Sequence, residues 1–278
     1  MTYRIIGDSC TDLTKEQRDS KEFDLVPLTL QIGETTFVDD ENFSQQEFIK
    51  KMQESSDCPK SACPAPESYM QLFHKADDIY VVTLSSPLSG SYNCAELAKS
   101  LYIEQNGEKN IAVIDSRSAS GGQNLLVMKI KELADQGLPF AEVVKKVNAF
   151  RDEMSVYFVL ESLENLRKNG RLSNIKALIV NALNIKPIMR GTKEGIIDKV
   201  DQARGIKKAL LKMCDIIADR VQDPQDRIAI ISHCNNYERA LFVKDEIQKR
   251  VVFKEIMIVG TAGVSTLYAN DGGIIVCY

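Results

Sequence analysis

The sequence contains few residues suited to metal or disulfide chemistry. Its seven cysteines are odd in number, scattered, and form no Cys-x-x-Cys pair, which is typical of free thiols in a reducing compartment. His74 and His233 are the only histidines, so a zinc site would have to join Cys58 and Cys63 to distant partners. We therefore expect neither a disulfide framework nor a bound metal.

The chain also lacks the features of several functional classes. Its 35 Lys and Arg against 39 Asp and Glu give a net charge of −4, so no basic field is present to bind nucleic acid or an anionic membrane. No apolar run approaches the roughly 18 residues of a spanning helix, and the N-terminus has no signal-peptide pattern. GxGxxG, Walker A, GxSxG and HExxH motifs are absent. These absences predict a cytoplasmic protein without membrane insertion.

What is present is the composition of an ordinary globular protein, with 44% hydrophobic and 27% charged residues. At about 150 residues per domain, the length predicts two domains, and the pattern changes near residue 155. Within 1–155, buried apolar strands alternate with helices, which indicates an α/β domain with a mostly parallel sheet and helices on both faces. For 156–278 we predict a second, α/β sandwich-like domain.

Several elements can be placed from turn residues and periodicity. Apolar residues predict one strand over 25–32, and the spacing after Gly90 predicts a helix over 91–104. Ser173 is predicted to cap a helix that ends near Leu183. Residues 185–189 and 196–200 are predicted to form a hairpin with a longer loop.

Three hydroxyl-rich turns, at 8–12, 83–91 and 115–122, each follow a strand of the first half. Because the carboxyl ends of parallel strands line one edge of a sheet, we expect these turns to converge there. The second turn leads into a helix N-terminus but contains no Lys or Arg, which suits one carboxylate or phosphate monoester better than a polyphosphate. Serines at such positions more often serve as N-caps and turn formers.

An ordered set of short motifs resembles the DegV family over essentially the whole chain. The motifs are GDSCTDL at 7–13, VPL at 26–28, KSACP at 60–64, LSGSY at 88–92, DS at 115–116, LESL at 160–163, GRLS at 170–173 and IKPI at 185–188, with Lys199 and Arg204. Each motif alone is weak, but their joint order and spacing are specific. The resemblance implies a two-domain bacterial protein that binds one long-chain fatty acid between its domains and needs no cofactor.

The resemblance further implies an acyl-binding subunit of fatty acid kinase rather than an enzyme with its own catalytic residues. A separate ATP-binding partner would phosphorylate the bound carboxylate, and the acyl phosphate would feed phospholipid synthesis. By this resemblance the carboxylate is held by Ser61 and Ser89, with Gly90 and Ser91 beside them. The family's Thr-Ser-Gln-Pro loop is replaced by a sequence that keeps the hydroxyl of Ser61 and places Cys63 two residues later.

Other positions are assigned by resemblance to the mouth at which phosphoryl transfer or partner contact would occur. The family's basic groups correspond to Arg171 and, more loosely, to Arg204, and a family acidic position matches Asp39. Many members carry His-x-Gly-Pro-Gly near the C-terminus, where this chain places Tyr268 at the histidine position. This departure bears more on kinase coupling than on lipid binding.

Two interpretations from other classes stay open. One is a regulatory lipid sensor without a kinase partner. The other is a hydrolase or transferase whose nucleophile is Ser89, with His233 or Asp115 as the base that nucleophilic catalysis requires.

Overall fold

The computed structural model describes residues 2–172 and 184–278. The predicted helix from Ser173 to Leu183 lies outside the described residues. Within these two ranges, no helix combines the length and the apolar character needed to cross a bilayer.

The first half is built around a four-stranded parallel sheet, in the order β2-β1-β6-β7. Its strands are β1 (Tyr3–Asp8), β2 (Phe23–Val26), β6 (Asp78–Thr83) and β7 (Asn110–Asp115). The accompanying helices are α1 (Lys15–Arg18), α2 (Gln45–Glu54), α3 (Pro66–Met70), α4 (Ser91–Asn106), α5 (Gly121–Asp135) and α6 (Phe140–Glu153). The predicted helix over 91–104 is therefore confirmed as α4.

Both faces of this sheet are covered, as predicted. Side chains alternate along a strand, so the buried neighbours Ile5 and Ile6 point to opposite faces. Ile5 packs in the cluster that includes Leu126 of α5, whereas Ile6 packs in the cluster that includes Ala95 of α4. The parallel sheet with helices on both faces is confirmed.

The predicted strand over 25–32 is wrong, because two strands of different sheets occupy this range. β2 ends at Val26, and β3 (Thr29–Ile32) starts a separate antiparallel sheet with β4 (Thr35–Val38) and β5 (Lys60–Ala62). Pro27 lies at the break, where it has no N–H to donate to a sheet and fixes its own φ. Ser61 lies on β5 of this small sheet.

The second half forms a six-stranded sheet in the order β10-β9-β8-β13-β11-β12. Its elements are β8 (Val156–Val159), α7 (Glu164–Lys168), β9 (Ile185–Gly191), β10 (Ile197–Arg204), α8 (Ile206–Arg220), β11 (Ile228–His233), α9 (Tyr237–Gln248), β12 (Glu255–Gly260), α10 (Gly263–Ala269) and β13 (Ile274–Cys277). The predicted hairpin is confirmed as β9 and β10, which pair antiparallel. Within this sheet β11 and β12 pair parallel, and the other pairs are antiparallel.

Helix α5 lies between the two large sheets. It contacts β1 and β6 of the first sheet and β11 and β13 of the second. Helices α8 and α9 cover the opposite face of the second sheet, which gives this half its predicted α/β sandwich-like form. The chain passes from α6 to β8 at Ser155, and the division into domains 1–155 and 156–278 stays a prediction.

Candidate functional site

The three hydroxyl-rich turns meet at the carboxyl edge of the first sheet, as the sequence predicts. The buried carboxylate of Asp8 accepts a hydrogen bond from the Leu84 amide at 2.6 Å, which ties the first turn to the second. The Ser120 amide donates to the Cys10 carbonyl at 3.1 Å, which ties the third turn to the first. Burial raises the pKa of Asp8, whereas its hydrogen bonds with Gln123 and other donors oppose this rise.

A cavity that is partly open to solvent lies between these turns and the second sheet. Val156, Phe158 and Leu160 line it from β8 and the residue that follows, whereas Tyr157 and Val159 point to the core on the other face. This alternation follows from the pleat of the strand. Most of the cavity lining is apolar, as is typical of small-molecule sites.

Four polar residues of the cavity lining, Ser61, Ser89, Arg171 and Tyr268, lie close together, and we call this group the polar end. The Ser61 Oγ lies 3.0 Å from the Tyr268 hydroxyl oxygen. The Arg171 guanidinium lies over the Tyr268 ring, 5.7 Å from its centroid, and its Nε donates to the Leu88 carbonyl at 3.1 Å. Four residues that the resemblance assigns to the site are thus neighbours in space.

Ser89 is positioned by the first turn of α4. The Ser91 amide donates to Ser89 Oγ at 3.2 Å, and the two hydroxyl oxygens lie 3.0 Å apart. Ser91 is fully buried, and Gly90 is the N-cap residue of the helix. Ser89 lines the cavity, while Gly90 and Ser91 lie behind it and support its position.

Asp39 lies away from the polar end and holds helix α10 in place. Its carboxylate accepts hydrogen bonds from the Gly263 amide at 2.6 Å, the Val264 amide at 2.9 Å and the Ser9 hydroxyl at 2.8 Å. Burial raises the pKa of Asp39 to about 6, although these hydrogen bonds favour the carboxylate. Because α10 carries Tyr268, Asp39 contributes to the site by positioning that helix.

Arg204 is also separated from the polar end. It ends β10 opposite Ile185, is exposed, and does not line the cavity. Arg117 does line the cavity, although its place in the sequence gave no reason to expect this, and it pairs with Asp152 at 3.0 Å.

Neither base considered for a serine nucleophile reaches Ser89. The Nδ1 of His233 accepts a hydrogen bond from the Asn236 amide at 3.2 Å, and burial lowers the pKa of this histidine. Asp115 accepts from the Ser86 hydroxyl at 2.6 Å and thus stabilises its own turn. Among the described residues, Ser89 Oγ forms hydrogen bonds with Ser91 and with neither of these bases, so the geometry does not support a Ser-nucleophile hydrolase.

Sequence reasoning missed Asp12, which links the first turn to the second half. Its Oδ1 accepts from the Ala262 amide at 2.7 Å, and its Oδ2 accepts from the Ser120 hydroxyl. Burial raises the pKa of Asp12 to about 7. No local pattern marks this role, because Ala262 lies 250 positions further along the chain.

Comparison with known proteins agrees with this architecture. The model of the DegV family, described as "Uncharacterised protein, DegV family", matches residues 2–278. A DegV domain-containing protein of Streptococcus pyogenes serotype M3 is 36% identical over 280 residues, which cover 100% of this chain and 99% of the relative.

Solved structures of similar proteins share the fold. A DegV family protein from Ruminococcus gnavus with vaccenic acid is 49% identical, has a TM-score of 0.97, and is matched over 100% of this chain and 99% of its own. The Streptococcus pneumoniae Fatty Acid Kinase (Fak) B3 protein loaded with linoleic acid is 35% identical, with a TM-score of 0.92 and the same coverage. A DegV family protein from Eubacterium eligens loaded with heptadecanoic acid is 26% identical, with a TM-score of 0.91 and 99% of both chains covered.

Proposed function

The chain belongs to the DegV family, and from this premise we propose that it binds one long-chain fatty acid. The carboxylate would lie at the polar end, and the acyl chain would follow the apolar lining past Phe158. The observation that carries this proposal is a mostly apolar cavity in whose lining Ser61, Ser89, Arg171 and Tyr268 lie together. The relatives with vaccenic, linoleic and heptadecanoic acid support it.

The energetics suit a site in which the acyl chain supplies most of the affinity and the polar end orients the head group. Burial of an acyl chain contributes about 0.8 kcal/mol per CH₂, so about 15 methylenes would contribute on the order of 12 kcal/mol before ordering costs. The head group then has to be oriented and hydrogen-bonded rather than held tightly, because an unsatisfied buried carboxylate is costly. The hydroxyls of Ser61, Ser89 and Tyr268 are sufficient donors for this purpose.

A finer proposal concerns what happens to the head group. We propose that a separate ATP-binding kinase subunit phosphorylates the carboxylate, as the similarity to the Fak B3 protein suggests. Phosphoryl transfer brings two anionic groups together and therefore requires positive charge at the reacting end. Arg171 supplies that charge from within the cavity lining, and the exposed Arg204 is a candidate contact for the partner.

Fatty acid content is the direct test. We expect native mass spectrometry of the purified protein to show one bound acid, which organic extraction recovers unmodified. The delipidated protein should rebind vaccenate, and methyl vaccenate should bind more weakly because it lacks the carboxylate. An empty protein that binds neither vaccenate nor palmitate contradicts the proposal. Turnover of an ester substrate would instead favour the hydrolase.

The partner proposal is tested with Arg171→Ala. Because the acyl chain supplies most of the affinity, this variant should retain fatty acid. Its kinase-supported acyl-phosphate formation should fall at least ~10-fold, which corresponds to about 1.4 kcal/mol of lost transition-state stabilisation. Arg167→Ala is the matched control, because Arg167 is exposed and pairs with Glu164 on α7.

The assay combines reloaded protein with a cognate ATP-binding kinase subunit. Equal rates for wild type and Arg171→Ala would remove Arg171 from the mechanism. If the wild type binds fatty acid but supports no phosphorylation, the lipid-sensor interpretation holds, and the replacement of the family histidine by Tyr268 is its first explanation.

A further inference from the structure

Two free cysteines that are distant in sequence lie side by side next to the polar end. The Sγ atoms of Cys63 and Cys94 are 3.3 Å apart, and both residues are partly exposed. Neither lines the cavity, so the proposed fatty acid site does not use them. Cys58 is partly exposed as well, but its thiol lies against the Pro59 carbonyl at 3.6 Å.

Cys63 and Cys94 lie on the two segments that contain Ser61 and Ser89. Cys63 follows Ser61 by two residues, and Cys94 lies in the first turn of α4, whose N-terminus positions Ser89. A side chain at Gly90 would place its Cβ 3.1 Å from the Cys63 sulfur, so this thiol packs directly on the turn between the serines. The sulfur pair therefore lies immediately behind the polar end.

We propose that Cys63 and Cys94 form a reversible disulfide that joins the segment after β5 to the first turn of α4. A disulfide has a sulfur–sulfur distance of about 2.05 Å, so the sulfurs need to approach by only about 1 Å. The bond would hold Ser61 and Ser89 at a fixed separation. This last consequence rests on the proposed function, whereas formation of the disulfide does not.

The reaction is thiol–disulfide exchange with a small-molecule disulfide such as glutathione disulfide. The Cys63 thiolate attacks one sulfur, which forms a mixed disulfide and releases one glutathione thiolate. Cys94 then loses its proton to solvent and attacks the Cys63 sulfur, which releases the second glutathione. The two cysteines are oxidised by two electrons, and glutathione disulfide is reduced to two glutathione molecules.

The environment of Cys94 makes it the resolving rather than the first attacking thiol. Burial and the neighbouring Cys63 thiol raise the pKa of Cys94 to about 11, so little thiolate is present at neutral pH. We therefore expect closure of the internal disulfide to accelerate as the pH rises above neutral, with the glutathione adduct on Cys63 as the intermediate.

Intact mass measurement after incubation with glutathione disulfide tests the pair. Wild type and the control Cys58→Ser should each lose two hydrogen atoms, and dithiothreitol should restore them. Cys94→Ser should accumulate one glutathione on Cys63, and Cys63→Ser should form no internal disulfide. Circular dichroism confirms that each variant is folded. A folded wild type whose mass does not change, or that stops at the glutathione adduct across the alkaline range, overturns the proposal.

Release of bound fatty acid tests the consequence. We expect the oxidised wild type to release a fluorescent fatty acid about tenfold more slowly than the reduced protein, because the segments that carry the serines are then joined. Cys94→Ser should release it at one rate under both conditions. Equal rates for oxidised and reduced wild type overturn the effect on the cavity. If the reduced wild type binds no fatty acid, the proposed function fails, while the mass measurement still reports on the disulfide.

Discussion

Ser61 and Tyr268 are 207 positions apart in the sequence, yet their hydroxyl oxygens lie at hydrogen-bond distance. Each hydroxyl has one proton to donate, and in the absence of a ligand one of the two donates to the other. A carboxylate bound at the polar end, as we propose, would accept from both, because it offers two oxygens with several lone pairs. The head group would thus replace a neutral hydrogen bond with charge-assisted ones.

The serines give the first prediction at this scale. Ser61→Ala and Ser89→Ala should each weaken fatty acid binding by about 1–3 kcal/mol, because each removes a hydrogen bond to a charged acceptor. The double variant should lose less than the sum, since both residues serve one group. Titration calorimetry with vaccenate measures these losses. Ser100→Ala, an exposed serine on α4, is the control. Unchanged affinity in both single variants would place the carboxylate elsewhere.

Asp12 gives a prediction for pH dependence. Its carboxyl is fully buried with a pKa of about 7, against about 3.9 in the unfolded chain. The folded state therefore binds the proton more tightly, and the stability that this binding provides is lost as the pH rises through 7. From pH 6 to pH 8 this site should lower the free energy of unfolding by about 1.4 kcal/mol.

Asp12→Asn removes this titration and should flatten the dependence of stability on pH between pH 6 and 8. An amide oxygen can still accept from the Ala262 amide, so the variant should fold. Urea unfolding at both pH values provides the measurement, and the exposed Asp152→Asn serves as control. An unfolding free energy with the same pH dependence in Asp12→Asn and wild type would contradict the prediction.

The roles of individual residues could be predicted from the sequence to different extents. The resemblance assigns Ser61, Ser89, Arg171 and Tyr268 to the site, and all four line one cavity, while their roles in binding and transfer stay predictions. Asp39 was assigned to the mouth, but its burial and its bonds to α10 depend on contacts with residues more than 220 positions away. Sequence gives no signal for such a long-range capping interaction.

At the scale of elements, the turn between β9 and β10 contributes Gly195 and Ile196 to the lining of the cavity. Gly195 has a φ of +80°, and its carbonyl accepts a hydrogen bond from the Ser85 hydroxyl at 2.6 Å. A Cβ at Gly195 would collide with Ser85 Oγ and lie 3.0 Å from the Arg117 Cα. The hairpin therefore rests on two of the hydroxyl-rich turns, and only glycine allows this close approach.

Gly195→Ala should therefore lift the hairpin from these turns. Gly137→Ala is its matched control, since Gly137 has a φ of +75° with no atom within 4 Å of an added Cβ. In both variants the left-handed backbone conformation should lower the free energy of unfolding by about 1 kcal/mol. The collision should lower that of Gly195→Ala by about 1–3 kcal/mol more. Urea unfolding measures the difference, and fatty acid should leave the Gly195→Ala protein faster. Equal losses in the two variants would show that the hairpin contact contributes nothing.

Elements with strong local signals were predicted well. Strands β1, β6 and β7 are short buried apolar runs between helices, and the pattern of a parallel sheet follows from them. The prediction of one strand over 25–32 failed because Leu30 and Ile32 are as buried as Val26. The apolar pattern therefore continues, although the chain changes sheets at Pro27. Periodicity reports burial, and it does not report which sheet a strand joins.

At the scale of the whole molecule, the order of the strands in the second sheet could not be predicted from the sequence. β13, the last strand, inserts between β8 and β11, and its pairing with β8 joins residues more than 110 positions apart. Such pairing depends on the complete set of strands and helices that compete for the same edge. The two halves also share α5, whose position between the sheets cannot be read from its amphipathic pattern alone.

The sharing of α5 leads to an expectation about cooperativity. One side of this helix packs with Leu126 against the first sheet, and another packs with Leu125 against Ile230 of the second. Neither sheet can lose α5 without exposing apolar surface on the other, so we expect both to unfold in one transition. Hydrogen exchange should accordingly give β6 and β11, which are both interior strands of their sheets, the same opening free energy.

Gly121→Ala tests this coupling at the contact between α5 and β11. A Cβ at this position would lie 2.8 Å from Ile230 Cγ2, so the variant should be destabilised by about 1–3 kcal/mol through overpacking. If α5 couples the sheets, the opening free energies of β6 and β11 should fall by the same amount, although the added methyl group touches only the second sheet. Gly260→Ala is the control, because no atom lies within 4 Å of its added Cβ. Faster exchange confined to β11 would instead show two independently folding domains, divided as the sequence predicts near residue 155.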